Sequence, residues 1–129
     1  MRNLLLLCLI AICVSIINCS EASAEYVWAY QEEYEGHQWD RYIDTDSIRH
    51  SSYYYVTVKF FKDDVFSYDR YYRFDVPNDT VIVEYKDDIN SNYGNFMVVK
   101  SVPSARAIWH KMKPYMDQKG IYYDRNWDD

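Results

Sequence analysis

Cysteine is scarce in this sequence of 129 residues, and its distribution limits the chemistry that is open to the chain. The three cysteines, Cys8, Cys13 and Cys19, all lie near the N-terminus. A domain that begins after them has no disulfide and no thiol nucleophile. Such a domain must be held together by the packing of its side chains alone.

Other patterns typical of catalysis or metal binding are also missing. The histidines His37, His50 and His110 are far apart, and none has ligand spacing with another histidine or a cysteine. Ser101 and Ser104 lack the glycine-rich turn that presents a serine nucleophile. The sequence therefore predicts a non-enzymatic protein that needs no metal and no cofactor, and a hydrolase is the distant alternative.

Positive charge is in deficit. Lys and Arg together number 14 against 20 Asp and Glu, which gives a formal net charge of −6 at pH 7. An acidic protein repels phosphate groups, because it has no excess of cations with which to replace the counterions around them. Nucleic acid and anionic membrane surfaces are therefore unsuitable partners.

The one long apolar run lies at the N-terminus. Arg2 is followed by an almost unbroken apolar segment, Leu4 to Ile17, and then by polar residues and the small pair Ala22 and Ala24. This layout predicts a secretory signal peptide, residues 1–24. The run is shorter than the roughly 20 apolar residues that cross a membrane, so we expect no membrane span once the signal is removed.

Two alternatives to cleavage after Ala24 remain open. The run could stay as an N-terminal anchor, or cleavage before Cys19 could give a lipoprotein, although Asn18 is not the small residue that the lipoprotein peptidase prefers. In the favoured interpretation, residues 25–129 form a single exported α+β domain in the periplasm, on the cell surface or outside the cell. Its net charge stays at −6, because one base and one acid leave with the signal.

Aromatic residues dominate the exported part, which contains all 15 tyrosines and all 4 tryptophans. Apolar residues alternate with polar ones in six short segments, which predicts six strands. In the first of them, Tyr26, Trp28 and Tyr30 fall on one side. Residues 45–52 are predicted to form a turn. The predicted strands cover residues 25–30, 39–44, 53–61, 67–76, 80–86 and 93–100.

The period changes after Pro103, where a helix is predicted. Ser104 is expected to cap its N-terminus, and Pro114 is expected to kink or end it near Lys113. An apolar stripe follows the helical period. Its members are Ala105, Ile108, Trp109, Met112 and Met116. The predicted fold is α+β, with a six-stranded antiparallel meander sheet and one C-terminal α-helix packed on one face.

The two faces of the predicted sheet differ in character. The helix is expected to cover the face that contains Tyr54, Val56, Val58 and Phe60. The opposite face mixes tyrosines with charges and carries the candidate binding residues, which are Tyr53, Tyr55, Lys59, Phe61, Asp69, Tyr71 and Arg73. Three interpretations of this open face are considered: a surface that binds a protein or glycan, cross-strand pairs that stabilise an exposed sheet, and the seam of a homodimer.

Two acidic stretches invite comparison with calcium loops. The first, WDRYIDTDSI, brings Asp44 and Asp46 close together, but calcium takes about six to eight oxygen ligands. The second places Asp88, Asn90 and Asn92 at alternate positions, but without the glycine and glutamate that complete such a loop. We interpret both stretches as turns in which side chains accept hydrogen bonds from backbone N–H groups.

The order of these short motifs resembles that of the bacterial surface-adhesin protein E-like family. A tyrosine-isoleucine-aspartate step leads to a serine-isoleucine step, a tyrosine-aspartate pair opens the fourth strand, and a proline with a small residue opens the helix. The matching residues are Tyr42, Ile43, Asp44, Ser47, Ile48, Tyr68, Asp69, Pro103 and Ser104. The resemblance covers roughly residues 26–116.

The resemblance implies a curved antiparallel sheet with the C-terminal helix packed on it. It also implies an exported protein, in some members displayed on the surface and binding host matrix proteins. Many members of the family have one cysteine after the fourth strand and another in the helix. The sequence departs from them, with Val76 in the first region and Lys111 or Met112 in the second.

Overall fold

The chain folds into one curled antiparallel sheet and one helix. The computed structural model describes residues 25–127, so the predicted signal peptide (1–24) and its lipidation alternative lie outside the described residues. The six strands lie in the sheet in chain order. They are β1 (Tyr26–Tyr34), β2 (His37–His50), β3 (Tyr54–Lys62), β4 (Val65–Asp75), β5 (Ile82–Lys86) and β6 (Met97–Val98), and the helix α1 follows (Pro103–Gln118). The predicted α+β fold is confirmed.

Two tight turns make β1, β2 and β4 longer than predicted, whereas β3 has the predicted length and is shifted by one residue. Glu35 and Gly36 join β1 to β2 with φ values of 52° and 77°, and Asp63 and Asp64 join β3 to β4 with 48° and 66°. Two successive positive φ values are typical of the two-residue hairpin turns whose twist matches that of the strands. The loop predicted between the first two strands is therefore mostly strand.

The turn predicted at residues 45–52 is wrong, because β2 continues to His50. A bulge lies between Asp44, which pairs with Thr57, and Arg49, which pairs with Tyr55. Ser47 bridges the irregularity. Its hydroxyl donates to the carbonyl oxygen of Asp44 at 2.6 Å and accepts from the N–H of Thr57 at 2.7 Å. A side chain thus replaces the missing backbone partners and keeps the strand together.

A second bulge changes the side on which Tyr30 lies. Trp28 pairs with Tyr42, whereas Tyr30 pairs with Arg41, so Ala29 is the extra residue. Because neighbouring residues of β2 point to opposite faces, Tyr30 lies on the face opposite to Trp28. The prediction that placed both on one side is wrong for this reason.

The core forms between α1 and one face of the sheet, as predicted. The apolar face of β3 is buried, and so is the whole helical stripe. The buried members of the two sets are Tyr54, Val56, Val58, Phe60, Ala105, Ile108, Trp109, Met112 and Met116. The indole of Trp109 is fully buried and lies 5.3 Å from the ring of Tyr54 and 5.1 Å from that of Phe74, measured between ring centroids.

Both ends of α1 differ from the predictions. Val102, not Ser104, occupies the N-cap position, and no side chain of residues 25–127 caps this end. Pro114 does not end the helix, which runs on to Gln118. The ammonium of Lys119 donates to the carbonyl oxygens of Thr45 and Ile48, so contacts with β2 fix the last turn.

The sixth strand and the tail complete the sheet side of the core. Residues 93–100 were predicted as a strand, but only Met97 and Val98 pair with β5, and a short 3₁₀ turn follows. In the tail, Tyr123 is buried, and the hydroxyl of Tyr54 donates to the carbonyl oxygen of Tyr122 at 2.7 Å. Within residues 25–127, no helix is long and apolar enough to cross a membrane.

Candidate functional site

The seven residues proposed for binding lie together on the sheet face that points away from α1. All of them are half-buried, because neighbouring side chains on the same face cover part of each one. Tyr53 comes just before β3, and the others alternate along β3 and β4 with residues of the core. They are Tyr53, Tyr55, Lys59, Phe61, Asp69, Tyr71 and Arg73. We call this surface the open face.

An ion pair occupies the middle of the open face. Lys59 and Asp69 are cross-strand partners, and their charged groups are 3.1 Å apart. The ammonium of Lys59 also lies 5.3 Å from the ring centroid of Tyr26 and 5.1 Å from that of Phe66. These distances permit cation–π attraction, so the pair is neutral overall and enclosed by aromatic rings.

Three aromatic side chains around this pair are exposed to water. Tyr26 is 51% exposed, Trp28 is 45% exposed and Phe66 is 50% exposed. The indole N–H of Trp28 donates to Asp40 at 2.9 Å, which fixes the orientation of the ring. Phe61 lies 5.8 Å from Phe66 between ring centroids and connects it to the rest of the face.

Sequence reasoning missed these three residues as site members. The alternation did place Tyr26 and Trp28 on one side of the first strand, but it did not indicate which strand lies beside it. Phe66 was assigned to a loop. In the structure it follows a two-residue turn and pairs with Phe61 across β3 and β4.

Arg73 organises the other end of the open face. Its guanidinium donates to Glu84, and its central carbon lies 4.4 Å from the ring centroid of Tyr53 and 3.9 Å from that of Tyr93. Burial alone would lower the pKa of Arg73, but the hydrogen bond with Glu84 and the nearby negative charge raise it. Arg73 therefore remains charged and is shared between one carboxylate and two rings.

A shallow cleft of about 340 Å³ lies beside this arginine. Tyr55, Tyr71 and Tyr93 line it together with Arg49 and Asp46. The guanidinium carbon of Arg49 is 3.9 Å from the ring centroid of Tyr55. The cleft therefore presents aromatic rings, one positive and one negative side chain, which suits contact with a surface that is partly polar and partly apolar.

Both acidic stretches make the predicted side chain–backbone hydrogen bonds, although the first lies at the bulge of β2 and not in a turn. Asp44 accepts a hydrogen bond from the N–H of Asp46 at 3.1 Å, and Asp88 accepts one from the N–H of Asn90 at 2.9 Å. Among residues 25–127, no three His, Cys, Asp or Glu side chains are grouped so that they could hold a metal ion.

One histidine, His37, bonds to a residue of the turn between β3 and β4. His37 Nδ1 lies 2.6 Å from Asp63, and the N–H of Gln38 donates to the same carboxylate at 2.9 Å. The backbone hydrogen bond from Gln38, and then the bond with His37, lower the pKa of Asp63. The two hairpin turns at this end of the sheet are thus tied together by an exposed carboxylate.

No family model, curated protein or solved structure matches the chain. The resemblance to the surface-adhesin protein E-like family therefore stays a prediction, and the function has to be argued from the residues of the chain itself.

Proposed function

We propose that the protein is an exported, non-enzymatic interaction module that binds another protein through the open face. The observation that carries the proposal is the group of exposed rings, Tyr26, Trp28 and Phe66, around the Lys59–Asp69 pair. Aromatic residues and arginine are enriched at the centres of protein interfaces, where they supply large contact areas. The fitting partners are proteins of the cell envelope or of a host matrix, in line with the family resemblance.

The charges of the open face favour a protein over a strongly charged polymer. Lys59 is paired with Asp69, and Arg73 is paired with Glu84, so these four charges cancel in pairs. A partner therefore gains from burial of the rings and from hydrogen bonds to the tyrosine hydroxyls. A glycan could also stack on the rings, and it forms the second arm of the experiment.

A second candidate function is a small structural or accessory domain of the envelope without an external ligand. The same two ion pairs favour it, because they join neighbouring strands. Cross-strand pairs of this kind stabilise an exposed sheet by about 0.2–1 kcal/mol each. In this alternative, the aromatic rings protect the sheet and bind nothing.

Binding of the exported protein to immobilised matrix and envelope proteins, and to a glycan array, separates these possibilities. The test variant is the double substitution Trp28→Ala and Phe66→Ala. The matched control is Tyr122→Ala, because Tyr122 is 76% exposed and lies in the tail, away from the open face. We expect a protein to bind wild type and the control, and to lose at least about tenfold in affinity for the double variant.

Other outcomes would decide against the proposal. Equal binding of a protein to wild type, control and double variant would place the contact elsewhere, and glycan binding that the double variant alone loses would replace a protein ligand by a sugar. If nothing bound and sedimentation showed a dimer that the double variant abolished, the open face would be the seam of a homodimer.

A further inference from the structure

A second cleft, of about 280 Å³, lies on the opposite side of the sheet from the open face. It is lined by Glu32, Tyr34, Trp39, Arg41, Phe60, Tyr68 and Arg70. Arg41, Phe60 and Tyr68 are cross-strand neighbours in β2, β3 and β4, in the row beyond the core residues Ile43 and Val58. The cleft therefore continues the helix-facing side of the sheet toward the turn between β1 and β2. We call it the arginine cleft.

Arg41 is the unusual member of the arginine cleft. It is only 8% exposed, and its guanidinium carbon lies 4.9 Å from the ring centroid of Phe60 and 5.3 Å from that of Tyr30. One nitrogen, Nη2, donates to Glu32. Nε and Nη1 are buried and have no hydrogen-bond partner among residues 25–127. Buried donors almost always have an acceptor, above all on a charged group, so an acceptor from outside residues 25–127 is expected here.

Arg70 has a different role, because its charge is already matched. Its guanidinium donates twice to Asp87, at 2.7 and 3.1 Å, and lies 4.0 Å from the ring centroid of Tyr85. Burial would lower the pKa of Arg70, but Asp87 and nearby phenol groups raise it. Arg70 thus forms a fixed wall, and the donors in need of an acceptor belong to Arg41.

The carboxylate of Glu32 occupies the position at which a ligand could accept a hydrogen bond from Arg41. Its carboxylate is bonded to Arg41, but its side chain is 43% exposed at the edge of the sheet. A glutamate in that position can turn toward water when another carboxylate takes its place. Because Glu32 lines the cleft, it would repel a doubly charged phosphate more strongly than a singly charged carboxylate.

We propose that the arginine cleft binds one carboxylated sugar residue of a glycan. The carboxylate would take the place of Glu32 on Nη2 of Arg41 and also accept a hydrogen bond from Nη1, because the planar guanidinium suits two parallel bonds to this group. The sugar ring would pack against Trp39 and Tyr34, with its hydroxyls near the phenol of Tyr68. A volume of about 280 Å³ lies just below the roughly 300–1,000 Å³ of sites for drug-sized ligands, so it fits a single ring.

Titration of the exported protein with methyl glucuronide tests the assignment, with methyl glucoside and acetate as matched controls. Calorimetry gives the affinity, and the indole N–H signal of Trp39 in NMR spectra locates the ligand. We expect methyl glucuronide to bind, and both controls to bind at least about tenfold more weakly.

Three variants separate binding from folding. Arg41→Gln should lose at least about tenfold in affinity, because a hydrogen bond to a charged group is removed. Glu32→Gln should bind several-fold more tightly than wild type, because the competing carboxylate is gone, and this result does not depend on the stability of the Arg41 variant. Arg125→Gln, at an exposed ion pair with Asp117, should bind like wild type.

The proposal fails if methyl glucuronide does not bind, or if Glu32→Gln leaves its affinity unchanged. If acetate bound with the same affinity as methyl glucuronide, the sugar ring would contribute nothing and the proposed sugar ligand would be wrong. If an acetylated glutamate peptide bound more tightly, the ligand would be an acidic peptide. Because the arginine cleft and the open face lie on opposite sides of the sheet, none of these results bears on the proposed function.

Discussion

Replacing Trp109 by alanine should remove the main attachment of α1 to the sheet, and the structure allows the loss to be estimated. A buried tryptophan typically costs about 3–5 kcal/mol when it is truncated to alanine. The rings of Tyr54 and Phe74, 5.3 and 5.1 Å away, place this site toward the upper end. One contribution acts in the other direction. The indole N–H is buried without a partner among residues 25–127, and such a group costs about 1–3 kcal/mol in the wild type.

The expected net loss for Trp109→Ala is therefore about 3 kcal/mol, a large part of the roughly 5–15 kcal/mol that stabilises a domain. Trp109→Phe keeps a ring, and removal of the unpartnered N–H partly offsets the cavity that the smaller ring leaves, so it should lose only about 1 kcal/mol. Urea unfolding followed by circular dichroism measures both, with Tyr55→Ala on the open face as the control that stays folded. A Trp109→Ala midpoint equal to that of wild type, or a Phe variant as damaged as the Ala variant, would refute this account.

Three further predictions concern other parts of the chain. Asp44→Ala should lose about 0.5–2 kcal/mol in free energy of unfolding, the range for a capping or turn bond, with no response to EDTA; calcium that raised the melting temperature of wild type only would contradict it. Burial raises the pKa of Tyr72 above its ordinary value near 10, so the stability due to the neutral phenol is complete below about pH 10 and is lost as the pH rises through the raised value. The urea midpoint of wild type should therefore decrease when the pH is raised beyond about 10, and it should decrease less in Tyr72→Phe. An equal decrease in the two proteins would mean that other groups are responsible. Mass spectrometry of the exported protein should find Glu25 at the N-terminus, whereas a diacylglyceryl group on Cys19 would establish the lipoprotein.

The faces of the central strands and of the helix could be predicted because they follow from local periods. Val56, Val58 and Phe60 recur at every second residue, and Ile108 and Met112 recur at helical spacing. Each of these sets is buried against the other. A period of this kind depends only on the geometry of one element, so no knowledge of its neighbours is needed.

The errors arise where one element depends on another. The bulge at Ala29 moves Tyr30 to the other face, and nothing in the local alternation marks it. Pro114 removes one helical hydrogen bond at a cost of about 3 kcal/mol, yet the helix continues because Met116 is fully buried and Lys119 bonds to β2. The unpartnered nitrogens of Arg41 could not be predicted, because the surroundings of this side chain depend on how β1, β2 and β3 pair.

The candidate site was predictable to the same extent. The alternation correctly assembled the open-face residues of β3 and β4, since neighbouring strands of a meander pair with each other. It could not add the exposed rings of Tyr26 and Phe66, because their positions depend on a pairing and on a turn length. The binding role of the open face remains a prediction.

The order of the elements has a consequence for the time course of folding. Each strand pairs with its neighbours in the chain, so the sheet can grow as synthesis proceeds from the N-terminus. The helix that covers it comes last, and Lys119 bonds to carbonyl groups 74 and 71 residues earlier in the chain. Until that segment emerges, the sheet presents Phe60 and Phe74 to water. We expect a nascent chain that stops before Pro103 to aggregate, so a chaperone or rapid export would have to protect it during this interval.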